Sequence, residues 1–273
     1  MPRRIALALA SLLCCACAAE GPGAADDFHV RLYIAPRTAL GGWAADSGSF
    51  IIRVSPALAP LGAARFRELV GSKFYDGAPF FRVIGGFMAQ FGIAARPEVS
   101  RRWQDKRLKD DPAWPKGSAS NTLGTISFAH GGVGTRTTQC FLNFGDNSRL
   151  DPEGFAVFGR VLDTVADPAA RAAVASIYRV GESPPGGKGV EQGRLWQEGG
   201  LEYLRRSFPQ LSYIREAVLV ADPFAAPAGT SAAAFGRKQG AVSRIKDMAE
   251  LKGALAPADY AFERKNDKYL ATH

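Results

Sequence analysis

An arginine and a carboxamide, Arg82 and Gln90, stand in an otherwise apolar run, FFRVIGGFMAQFG from Phe80 to Gly92. Burying an unpaired guanidinium costs far more than the flanking apolar residues recover, so Arg82 is either paired or borders a pocket that uses its N–H groups. Taken alone, an arginine in such a run more often answers a structural carboxylate, such as Asp76, than a substrate. The chain offers few other chemistries. No GxGxxG follows a strand, PPGGKG lacks the Ser or Thr that a phosphate loop needs after Lys188, and neither GxSxG nor HExxH occurs. The only histidines, His29, His130 and His273, are too few and scattered for a metal site. The apolar runs around Arg82 hold no Asp or Glu, although a carboxylate pair elsewhere stays open. What remains is a cationic donor with two amides, Gln90 and Gln139, among aromatics.

Short β-branched and aromatic runs must position these groups. HVRLYI (29–34) and SFIIRV (49–54), joined by a Gly-rich turn containing Pro36, predict a hairpin. After Pro56 and Pro60, the spacing of Ala63, Phe66 and Val70 predicts a helix with one apolar face. FFRVIGGFMAQFG reads as strand again with a bend at Gly85–Gly86, and the shared parity of 82, 88 and 90 would place Arg82, Met88 and Gln90 on one face. Residues 93–120 are charged, Pro-containing and aperiodic, a long surface excursion. TISFAH, QCFLNFG, FAVFGRVL and YIREAVLVAD supply further strands, ADPAARAAVASIY a helix, and GGLEYLRRSFPQL a helical turn. Many short strands with two helices suggest a closed β-barrel capped by helices.

The ends are distinct from this core. MPRRIALALASLLCCACAAE has a basic start, an apolar run and small residues, the layout of a secretory signal peptide over 1–18, followed by a spacer over 19–28. Ala16 and Ala18 satisfy the small-x-small rule for cleavage after Ala18. Cys17 after Ala16 leaves lipid attachment as the alternative, although Cys14 three residues earlier is a poor match for it. Three of the four cysteines lie in this leader, so Cys140 has no partner for an internal disulfide unless Cys17 is retained, and the fold rests on its core. Residues 223–273 are an Ala/Pro/Gly linker and a basic extension, too short to hold a core alone. The formal charge of +8 is spread among acids, as in RRWQDKRLKDDP, and reads as solvated faces, with no nucleic-acid partner expected.

Three ordered segments, FFRVIGGFMAQFG, ISFAHGGVGTRTTQCFLNFGDNSRLD and GFAVFGRV, resemble the cyclophilin-type peptidyl-prolyl isomerases over roughly residues 29–222. DNSRLD and GKGVEQGRL look closest to secreted bacterial members. The resemblance implies a mainly β fold: an eight-stranded antiparallel barrel capped by two α-helices, with long loops and a C-terminal extension. It places Arg82 as the catalytic donor, with Gln90 holding the guanidinium or the substrate backbone. Phe87, Met88, Phe141 and Leu150 match an apolar proline pocket, and Phe155 falls near a position taken by histidine or an aromatic. Ala129 and His130 match the segment whose backbone pairs with an extended peptide, and Gln139 matches a polar wall residue. Neither metal nor cofactor is implied. The physics agrees: rotation about X–Pro breaks no covalent bond, and its barrier of roughly 20 kcal/mol falls in a dry pocket with a donor near the prolyl nitrogen. Lowering that barrier by about 5 kcal/mol accelerates rotation roughly 10³–10⁴-fold.

Departures from the pattern bear on specificity. Phe81 replaces a common histidine, Arg149 stands where some members carry a cyclosporin-binding tryptophan, and Val133, Gly134 and Cys140 replace Pro, Asn and Phe. The expected partners are proline-containing peptide segments or unfolded client proteins, met by a secreted or periplasmic monomer, with membrane contact only through a lipidated Cys17. The rival reading is a non-catalytic binding module or holdase that uses the same groove.

Overall fold

The computed structural model describes residues 26–111, 119–162 and 167–224. The leader over 1–18, most of the 19–28 spacer and the tail beyond 224 lie outside the described residues.

Strands β1 (Phe28–Pro36) and β2 (Ser49–Val54) form the expected hairpin, with Phe28 opposite Val54 and Tyr33 opposite Ser49. Their period-2 pattern explains the pairing, since Val30, Leu32, Ile34, Phe50, Ile52 and Val54 are buried while Arg53 points to solvent. Helix α1 (Pro60–Gly71) buries Ala63, Phe66, Leu69 and Val70. Then come β3 (Arg82–Ile84), β4 (Met88–Phe91), the short helix α2 (Pro97–Arg101), β5 (Thr125–Phe128), β6 (Cys140–Asn143) and β7 (Val157–Val161). Helices α3 (Pro168–Ala175) and α4 (Gly200–Ser207) precede the last strand, β8 (Ser212–Val220).

All eight strands join one antiparallel sheet in the order β3-β4-β6-β5-β7-β2-β1-β8. The chain just ahead of β3 closes the curl against β8: Gly77 N–H donates to the Ile214 carbonyl at 2.7 Å, and Phe80 N–H to that of Ser212 at 3.0 Å. This is the mainly β, eight-stranded architecture expected. The helix count differs, with four α-helices among the described residues rather than two, because the expected helical turn at 200–207 and a single turn at 97–101 both complete.

Two other expectations change. The parity of 82, 88 and 90 does not run along one strand. Residues 85–87 reverse the chain into a hairpin in which Arg82 faces Gln90 and Ile84 faces Met88 across the ladder. Cross-strand partners share a face, so the grouping survives for a different reason. The 93–120 excursion, read as surface, buries Ile93, Ala94, Ser100, Trp103 and Asp111. The Asp111 carboxylate caps α1 from 50 residues away, accepting N–H bonds from Leu61 at 2.7 Å and Gly62 at 3.1 Å.

The buried side chains fall into three clusters. The main core fills the barrel. A second cluster, Phe81, Ile93, Val190, Leu195, Leu204, Leu211 and Tyr213, forms where the 190–211 segment packs beside the barrel. The third is small: Met88, Phe141, Leu150 and Phe155, with Ile84, Phe87 and Ala129 packed against it.

Candidate active site

The third cluster lies on the outer face of the sheet. Along β4 and β6, Ala89, Phe91, Cys140 and Leu142 belong to the main core, so their alternates Met88, Gln90 and Phe141 project the other way. Arg82 and Ile84 share that outer face through the β3–β4 register. Every site residue read from the sequence gathers here. Phe87, Met88, Ala129, Phe141, Leu150 and Phe155 form one apolar patch. His130 stacks on Phe155 with ring centroids 3.9 Å apart and planes at 19°. Gln90 donates to Gln139 at 2.9 Å and accepts from Arg82 Nη1 at 3.2 Å.

Arg82 is paired, but not with Asp76, the carboxylate the sequence offered, which instead accepts from Ala217 N–H. Its partner is Glu182. Nε donates to Oε1 and Nη2 to Oε2, both at 2.6 Å, a fork-on-fork pair with side-chain exposures of 7% and 29%. With the bond to Gln90, three of the five guanidinium N–H groups are engaged among the described residues, leaving one on each terminal nitrogen. The guanidinium carbon remains 5.6 Å from the Phe87 ring centroid, beside the apolar patch.

A polar seam supports the patch, and the sequence reading missed it. Asn147 Nδ2 donates to the Phe87 and Asn143 Oδ1 oxygens at 2.7 Å each, and Asn121 Nδ2 to the Phe155 carbonyl at 2.7 Å. Asn121 Oδ1 accepts from Ser127 Oγ at 2.8 Å. These amides hold the backbone of two patch aromatics where water is excluded. The turn carrying Phe87 needs two glycines: Gly86 adopts φ +72°, and a Cβ on Gly145 would collide with the Gly86 carbonyl. Within DNSRLD, the short buried amide Asn147 was the available signal.

A family model for cyclophilin type peptidyl-prolyl cis-trans isomerase/CLD matches residues 43–167. Peptidyl-prolyl cis-trans isomerase A of Dickeya dadantii is 32% identical over 121 residues, covering 42% of this chain and 62% of that protein. Peptidyl-prolyl cis-trans isomerase-like 3 of Gibberella zeae is 37% identical over 111 residues, 38% of this chain and 64% of that one. The chain thus spans just under two thirds of those two relatives. For the isomerase-like 3 protein of Rattus norvegicus the figures are 32% over 120 residues, 43% and 72%. The chain belongs to the cyclophilin-type family.

Three cyclophilin departures now have physical readings. Phe81 is fully buried in the second cluster, away from the patch that takes its neighbour Arg82. Cys140 faces the main core beside Tyr75, and burial pushes its thiol pKa far up, which makes it a small apolar residue rather than a nucleophile. Arg149 lies over Phe87, its guanidinium carbon 4.7 Å from the ring centroid. Among the described residues no group of three or more His, Cys, Asp or Glu could hold a metal.

His130 titrates below its ordinary value of 6.5, because burial disfavours the charged ring and Arg136 adds repulsion, with Asp110 and Glu153 opposing. Its Nδ1 accepts from Gly132 N–H at 3.2 Å, a bond only the unprotonated nitrogen makes. Just below pH 6.5 the unfolded chain therefore binds more protons than the folded one, and stability rises with pH through that window. We expect the Tm gain between about pH 5.5 and 7.5 to be larger in the wild type than in His130→Gln, measured by calorimetry. Equal gains would show that His130 is not the group responsible.

Proposed function

We propose that this protein is a peptidyl-prolyl cis–trans isomerase acting on exposed X–Pro bonds of peptides and unfolded chains. The observation that carries this reading is a fixed guanidinium with two N–H groups uncommitted among the described residues, beside the apolar patch of Met88, Phe141, Leu150 and Phe155.

The patch takes the pyrrolidine ring, with Phe87 and Ala129 at its edge. The backbone at Ala129 and His130 lies against the peptide, and Gln139 borders the polar side through its bond to Gln90. As the bond twists, amide resonance is lost and the prolyl nitrogen regains a lone pair. Arg82 donates to that lone pair, while Gln90 keeps the guanidinium in place. The dry surroundings favour the less polar twisted form, so the donor acts more strongly than it would in water. No proton changes hands and no intermediate forms.

The basic start and apolar run of the leader support export with cleavage after Ala18, and therefore clients met outside the cytoplasm.

The test is an X–Pro tetrapeptide followed by exchange NMR and by a protease-coupled assay. Uncatalysed isomerisation takes tens to hundreds of seconds at 25 °C, and we expect the rate to rise in proportion to added protein. Peptide binding with no change in exchange rate would overturn the proposal and select a passive binding module or holdase.

A further inference from the structure

We infer that Glu182 is a positioning residue for the isomerase reaction, acting through Arg82. This rests on the isomerase reading above and adds to it a residue outside 43–167, the span that the family model matches.

Glu182 belongs to the loop GESPPGGKG between α3 and the second cluster, whose glycines resemble a phosphate loop without its Ser or Thr. The loop is folded around this one residue. Gly181 N–H donates to the Val83 carbonyl at 2.9 Å, which pins the loop beside β3. Gly189 N–H donates to the Glu182 carbonyl at 2.8 Å, and Ser183 N–H to Glu182 Oε1 at 2.8 Å. A Cβ on Gly187 or Gly189 would strike the Glu182 carbonyl, so these two glycines permit the close wrap. Directly afterwards Val190 enters the second cluster, fully buried, and anchors the far end. The carboxylate is therefore presented by a braced loop rather than by a wandering side chain.

The consequence for Arg82 is geometric. An arginine with a free choice of rotamers must be ordered each time it is needed, and the ordering entropy raises the barrier. Glu182 occupies the Nε–Nη2 edge and Gln90 one N–H of Nη1, so the plane of the guanidinium is determined before a peptide arrives. The carboxylate also draws off some positive charge. At 29% exposure it is partly screened, and the orientational gain outweighs that loss.

The experiment is a double-mutant cycle in the tetrapeptide assay. Glu182→Ala in the wild-type background is expected to lower kcat/KM about tenfold, chiefly in kcat, with KM little changed. Glu182→Gln, which keeps an acceptor for Ser183 N–H and one for Arg82, is expected to lose less. In the Arg82→Ala background, Glu182→Ala is expected to have no further effect. Unchanged or increased activity of Glu182→Ala overturns the inference, and so does an equal loss in both backgrounds, which marks a purely structural role. A second readout is the Arg82 Nε–H resonance, sharp and downfield in the wild type and exchange-averaged in Glu182→Ala. Should the wild type itself fail to accelerate exchange, the isomerase reading falls. An Nε–H signal that Glu182→Ala leaves unmoved sinks the positioning role separately.

Discussion

Arg82→Ala is expected to lower kcat/KM for X–Pro isomerisation about 10²–10³-fold, the usual loss when one preorganised donor is removed from a water-poor site. The apolar patch does not depend on the guanidinium: Met88, Phe141, Leu150 and Phe155 pack on one another. Peptide affinity should therefore change by a few-fold at most, with the loss concentrated in kcat. The fold should persist, because the orphaned Glu182 carboxylate is partly exposed and can be hydrated where it stands. Arg82→Lys is expected to recover little. A lysine keeps the charge, but its single nitrogen cannot span Glu182 and Gln90 while also facing the peptide. Rates within twofold of wild type for Arg82→Ala would remove the arginine from the mechanism.

The second large effect concerns stability. Asp111→Ala is expected to destabilise the domain by about 3–5 kcal/mol, because it breaks a buried ion pair by deleting one partner. Arg136 and Asp111 have side-chain exposures of 1% and 0%, with Arg136 Nη1 donating to Asp111 Oδ2 at 2.7 Å. The same carboxylate takes the Leu61 and Gly62 N–H groups at the start of α1, where Ala59 supplies no side-chain cap. Its removal orphans two helix donors and leaves the guanidinium with the Lys109 carbonyl, which accepts from Nη2, and with Asp110, 3.4 Å from Nε and partly exposed. For a domain of this size the expected Tm fall is roughly 10 °C, read by calorimetry. Asp111→Asn, which keeps acceptor capacity for the helix, should lose less. A fall of only a degree or two in Asp111→Ala would show that Asp110 and solvent replace the missing charge.

Arg136 also ties this pair to the site. Its carbonyl accepts from Leu108 N–H at 2.7 Å, bracing the chain that follows Ala129 and His130 against the 105–111 segment. Asp111→Ala is accordingly expected to weaken peptide binding as well as stability, whereas Arg82→Ala leaves stability nearly intact. The two variants separate chemistry from scaffold.

Local pattern in the amino-acid sequence was enough for most of the strands and the α1 face, though not for the reversal at 85–87, and the resemblance to a known family named the residues on the outer patch. Alternation and helical spacing are written within a few residues of each position, and the ordered motifs around Arg82, Gln139 and Phe155 carry the likeness to a known family. What only the tertiary structure decided is who answers each buried charge. Arg82 meets Glu182 across 100 residues, and Leu61 meets Asp111 across 50. An ion pair or cap formed by chain closure leaves no periodic trace, since the constraint on each partner is a point in space rather than a spacing. Asp76 was the carboxylate nearest Arg82 in sequence, but the barrel turns it toward Ala217, and the loop folded around Glu182 delivers the acid instead.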